Sequence, residues 1–99
     1  MPIEKEIKDA AKELQFFKNL PEFINRAKYL KGKLKPGETL SFGTDGLRNF
    51  NYSAEFIYLE IHKKEGKPER PLSIDCLGDI HLDHYLFEDY KPLPESQRG

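Results

Sequence analysis

Between Asp75 and His84 the chain reads DCLGDIHLDH, and its Asp75, Cys76, Asp79, His81, Asp83 and His84 are the residue types from which metal centres and nucleophilic sites are built. If this stretch is a strand, Asp79, His81 and Asp83 share one face, and an imidazole flanked by carboxylates suits a divalent transition metal in a metal-assisted hydrolase. Residues i and i+2 on a strand stand about 7 Å apart from rise alone, so one ion would need converging side chains and a further ligand, for which His62 is available. Structural zinc asks for paired Cys or His at fixed spacing, which a single Cys does not give, so no metal or other cofactor is assigned. The bland account of the same residues is the charged outward face of an edge strand, which opposes edge-to-edge pairing. Cys76 alternates with Leu72 and Ile74 and reads as a small buried hydrophobe; no protease motif flanks it, and no serine sits in a G-x-S-x-G elbow.

In a wider window, Leu72 to Tyr90 holds five acids, Asp75, Asp79, Asp83, Glu88 and Asp89, with no Lys or Arg. Residues 1–37 lean the other way with nine cations against five acids, while residues 38–99 carry seven cations against twelve acids. Such asymmetry points to partners rather than to fold. Asp75, Asp79, His81, Asp83, Glu88 and Asp89 are therefore the expected protein-binding residues, steering a partner with a basic surface.

Two further features bear on nucleic acid. Arg26, Lys28, Lys31, Lys33 and Lys35 form a basic cluster suited to phosphate contacts, and Phe50, Tyr52, Phe56 and Tyr58 fall on one face of a long strand, as bases require for stacking. Against that reading stand a pI of about 6.3 and the absence of the basic residue and glycine that an RNA-recognition motif places in its aromatic strand. The cheaper accounts are lysines gathered at a helix C-terminus and aromatics lying beneath the helices.

Phe42-Gly43-Thr44-Asp45-Gly46-Leu47-Arg48 resembles the FGTDG(I/L)R opening of the phosphohexomutase family. That family's phosphoserine loop and metal-binding Asp loop have no counterpart in this sequence, so no residue takes a role from the resemblance. The segment is read as a Gly-bounded turn with Asp45 at its centre.

The elements that must position these residues follow from periodicity. Ile3, Ile7, Ala10, Ala11, Leu14 and Phe17 form one stripe, predicting a helix over Pro2 to Lys18. Phe23, Ile24, Ala27 and Leu30 predict a second over Pro21 to Lys31, with Pro21 in its first turn and Gly32 ending it. After Pro36-Gly37 the period becomes two, with strands expected at Glu38–Phe42, from Leu47 or Arg48 to His62, at Leu72–Leu77 and at Ile80–Phe87, a short helix over Asp83–Asp89 competing with the last. The predicted fold is α+β: two N-terminal helices packed on one face of a mainly antiparallel sheet of about four strands, α-α-β-β-β-β. Residues 1–90 make one domain and residues 91–99 a flexible C-terminal tail.

At 99 residues, 37% hydrophobic and 33% charged, the chain is too aromatic for disorder and holds no apolar run near the ~20 residues that span a bilayer. One cysteine and an acid-bearing N-terminus suit a reducing, cytoplasmic setting. The expected function is a small non-enzymatic protein-interaction module: an adaptor, inhibitor, immunity-type protein or regulatory subunit.

Overall fold

A computed structural model describes residues 3–14, 18–48 and 53–97. Helix α1 spans Ile3–Leu14 and buries Ile3, Ile7 and Ala11, successive i+4 positions that stack into one stripe, while Glu4 and Lys8 pair outside it at 3.3 Å. Helix α2 spans Leu20–Gly32 and buries Phe23, Ile24, Ala27 and Leu30. Asn19 precedes it with φ of 60°, a left-handed conformation that asparagine tolerates, and spends its side chain across the molecule, Nδ2 donating to Gly78 O at 2.8 Å.

Four strands follow in a meander of order β1-β2-β3-β4, every neighbouring pair antiparallel: β1 Thr39–Arg48, β2 Ser53–His62, β3 Glu69–Asp75 and β4 Ile80–Leu82. This is the α-α-β-β-β-β architecture that the periodicity predicts. A 3-10 helix, His84–Phe87, leaves β4, so the helical alternative for Asp83–Asp89 describes this segment and the strand is confined to three residues.

Other boundaries differ from expectation. The segment read as a turn, Gly43-Thr44-Asp45-Gly46, is β-strand: β1 runs straight through it and pairs from Thr39↔His62 to Arg48↔Ser53. Gly43 leaves room there for the Tyr58 ring that crosses over it, whose hydroxyl oxygen would lie 2.6 Å from a Cβ. Leu47 and Arg48 accordingly belong to β1 rather than to the start of β2. Strand β3 ends at Asp75, so Cys76 sits in the following turn and is exposed, not buried.

The core lies between the helices and one face of the sheet. On that face Ile57 is flanked by Ile74, Leu59 by Phe42 and Leu72, and Ile61 by Leu40, while Leu72 and Ile74 meet Leu82 and Ile80. Ile7, Ala11, Phe23, Ala27, Ile57, Leu59, Leu72 and Ile74 are all 0% exposed. The helices therefore do not lie on the aromatics as expected. Phe56 is flanked by Asp45 and Asp75 and Tyr58 by Gly43 and Ser73, so the apolar patch that continues across all four strands is the aliphatic one, and the helices cover that. Phe50 and Tyr52 lie outside the described residues.

The segment after the 3-10 helix is tied to α2. Glu22, 4% exposed, accepts from the Tyr90 hydroxyl (3.0 Å) and from Leu93 N–H (2.9 Å). Arg26 Nε lies 3.1 Å from Glu22 Oε1, off its N–H axis, so that contact is Coulombic. The Arg26 guanidinium also covers the Tyr90 ring at 4.5 Å. Beyond Leu93 a 3-10 turn spans Glu95–Gln97.

Candidate functional site

Among the described residues no helix lies on the sheet face opposite α1 and α2, and the centre of that face is built by a bulge. Pairing passes from Leu59↔Leu72 to Ile61↔Glu69, leaving Arg70 and Pro71 together opposite Glu60. A bulge is where an inner strand tolerates proline, since no ladder N–H is required of it. Pro71 is fully buried and its carbonyl accepts from Asp83 N–H at 3.0 Å. The extra residue turns Arg70 onto the open face, its guanidinium carbon 3.9 Å from the centroid of the Tyr58 ring. Arg70 Nε donates to Glu60 Oε2 (3.2 Å) and a terminal nitrogen reaches Asp45 Oδ2 at 3.6 Å. Phe56 stands beside Tyr58 with ring centroids 6.1 Å apart. Arginine, tyrosine and phenylalanine are thus held together, partly exposed and pre-ordered.

Two polar groupings flank this centre. At one end Ser41 Oγ lies 3.0 Å from His62 Nε2, and Glu60 Oε1 lies 3.5 Å from the same nitrogen. Ser, His and Glu are triad residue types, but a relay needs serine and carboxylate on different imidazole nitrogens, and both meet Nε2 here. At the other end Asp75 organises the β3–β4 turn: its Oδ1 accepts from Leu77 N–H (2.9 Å) and Asp79 N–H (3.0 Å), and its Oδ2 accepts from His81 Nε2 (3.0 Å). Partial burial pushes this carboxyl up, but the His81 bond and the two backbone N–H bonds outweigh it and hold Asp75 below the usual carboxylate range. Burial raises the Tyr90 hydroxyl, and its bond to Glu22 adds to that.

The expected acidic surface is divided. Asp75 and His81 belong to the open sheet face, with Asp79 and Asp83 exposed at either end of β4. Glu88 and Asp89 line a shallow cleft of about 240 Å³ with Tyr29, Lys33, Tyr85 and Leu86, on the α2 side. Among the described residues no group of three or more His, Cys, Asp or Glu converges as a metal site would require.

The basic cluster is divided as well. Arg26 is drawn into the Glu22 and Tyr90 contacts, Lys28 pairs with Glu4 at 2.9 Å, and Lys33 Nζ stands 5.4 Å from the Tyr29 ring centroid, leaving Lys31 and Lys35 on the exposed end of α2 and its loop. Arg70, Glu60, Asp45 and Glu22 were not marked by the sequence. Pro71 lies just before the strand-like run Leu72–Leu77 and reads locally as loop, so the bulge opposite Glu60 had no local signal. No described helix is long and apolar enough to cross a membrane. No protein family, curated protein or solved structure matches this chain.

Proposed function

We propose that this chain is a small non-enzymatic protein-recognition module, of adaptor, inhibitor, immunity or regulatory type, that binds through the sheet face opposite its helices. The observation that carries this reading is the Arg70–Tyr58 stack at 3.9 Å, fixed by Glu60 and Asp45 beside Phe56. Arginine and aromatic side chains supply most hot spots in protein interfaces, and a pre-ordered group loses less entropy on binding. Asp45, Glu60 and Asp75 outnumber Arg70 on this face, with Asp79 and Asp83 at its β4 margin, so the fitting partner presents a basic surface. An exposed lone thiol, Cys76, suits a reducing, cytoplasmic setting.

The test is affinity capture from the native host with wild type, Arg70→Ala and Lys31→Ala, bound proteins being identified by mass spectrometry. A partner retained by wild type and Lys31→Ala, lost by Arg70→Ala and weakened by salt supports the reading. A partner indifferent to Arg70 and to salt defeats it.

Single-stranded nucleic acid is the second reading, favoured by one observation: Phe56 and Tyr58 are not beneath the helices. The three carboxylates on the same face oppose a phosphate backbone. With no Trp in the chain, emission comes from its five tyrosines, and comparison with Tyr58→Phe isolates the part contributed by the sheet face. Quenching by a short single strand at low salt would revive this reading, and a flat titration removes it.

A further inference from the structure

The two borders of the sheet are built differently. Strand β4 is three residues long and the chain leaves it at once into the 3-10 helix His84–Phe87, so that border offers little unpaired backbone. Strand β1 runs ten residues in unbroken register with β2. It contains no Lys, no Pro and no bulge, and of the devices by which proteins blunt an open edge it has only the charged residues Asp45 and Arg48. Thr39, Ser41, Thr44, Asp45 and Gly46 are exposed along it, and Leu40 and Phe42, on the helix side, are only half buried.

We propose that β1 pairs with β1 of a second copy, antiparallel about a two-fold axis at Gly43, joining the two four-stranded sheets into one with the helices of both copies on the same face. Residues directly opposite in an antiparallel pair share a sheet face, so a symmetric pairing must oppose positions of like face. Centring on Gly43 meets that condition. It places Asp45 opposite Ser41, Phe42 opposite Thr44, Leu40 opposite Gly46, and Arg48 opposite Glu38, the residue before β1, each twice by symmetry. No like charges then face each other, whereas centring on Asp45 would oppose two carboxylates. The half-buried Leu40 and Phe42 gain cover from the second copy. The contact is isologous and consumes the open edge of both copies, so assembly stops at the dimer, the outer borders being the short β4 strands.

Sedimentation equilibrium from micromolar to millimolar concentration, with reductant to keep the exposed Cys76 from cross-linking, tests this. The mass should rise from 11.6 kDa toward twice that value. Ser41→Asp puts a carboxylate opposite Asp45 at two symmetric places and should weaken the dimer by roughly three- to tenfold, and Ser41→Lys should tighten it by a similar factor. Ser41 is exposed, so neither change touches the core. A monomer mass at every concentration overturns the proposal, as does a dimer that the two substitutions shift in the same direction or leave unmoved.

Discussion

Strand β2 carries two faces of comparable apolar content, and the molecule uses them in opposite ways. Ile57 and Leu59 are sealed at 0% exposure beneath the helices, with Ile61 at 6%, while Phe56 and Tyr58, one residue out of phase, are only partly buried on the face that no described helix covers. The hydrophobicity of the strand itself does not choose between them. The choice is made by the residues opposite: Phe42, Leu72 and Ile74 extend the face of Ile57, Leu59 and Ile61 into an apolar patch wide enough for two helices, and Gly43, Asp45, Ser73 and Asp75 surround Phe56 and Tyr58 with small and polar groups. Full burial of each aliphatic side chain contributes roughly 1.5–3 kcal/mol. The ring of Tyr58 instead supports the Arg70 guanidinium, worth about 0.5–1 kcal/mol where solvent has access.

The sharpest break of this comparison is a pair of truncations on neighbouring residues. Leu59→Ala leaves a cavity in a fully buried site and should cost about 2–5 kcal/mol in urea unfolding. Tyr58→Ala, on the open face, should cost about 1 kcal/mol, because its loss opens no enclosed void. Equal losses would mean that the aromatic face is packed as tightly as the core, and the distinction between the faces would fail.

The helices and the order of elements are legible in the sequence because their signals are local. Ile3, Ile7 and Ala11 repeat at helical spacing, and the change of period after Pro36-Gly37 marks where strands begin. What is not legible depends on neighbours distant in the chain. Gly43 and Gly46 around Asp45 read locally as a turn, yet the reason for Gly43 is the ring of Tyr58 on the adjacent strand. Glu22 reads as an ordinary first-turn acid, and only the return of Tyr90 and Leu93 makes it a buried anchor. Arg70 reads as a loop cation until the bulge at Pro71 turns it over Tyr58.

A second pair sharpens the contrast between a packed region and a yielding one. At Gly78, φ is 84° and a Cβ would stand 2.8 Å from Lys18 Cβ and 3.0 Å from Lys18 O, where the α1–α2 turn meets the β3–β4 turn. Gly78→Ala combines left-handed backbone strain with a backbone clash and should cost about 1–3 kcal/mol. Gly43→Ala meets only the far end of the Tyr58 side chain, which can swing into solvent. It should cost about 1 kcal/mol or less. It should also unstack Arg70, read as loss of the ring-current shift on the Arg70 side-chain protons in NMR spectra. A large stability loss from Gly43→Ala, with Arg70 unshifted, would show that the open face is rigid.

The smallest effect concerns charge at the margin of the open face. Burial alone would raise the Asp75 carboxyl, but bonds from His81, Asp79 N–H and Leu77 N–H hold it below its ordinary 3.8. A carboxyl lowered in the folded state contributes stability that is fully present above its unfolded value and is lost as pH falls through the folded one. The contribution should therefore decline below about pH 4, reaching zero once Asp75 is protonated in both states. Asp75→Asn keeps an acceptor for the two backbone N–H groups but removes the charge and puts an NH2 where Oδ2 accepts from His81, so the variant should be about 1 kcal/mol less stable than wild type at pH 7. The gap should close under acid. Glu4, lowered by its bonds to Lys28 and Lys8, contributes to the acid limb of both proteins and cancels in the difference. Urea unfolding of the two chains from pH 7 to pH 3 measures the gap directly. A gap that stays constant down to pH 3 would mean that Asp75 holds the turn by shape rather than by charge, which would make this margin resemble the sealed side of the sheet more than the open one.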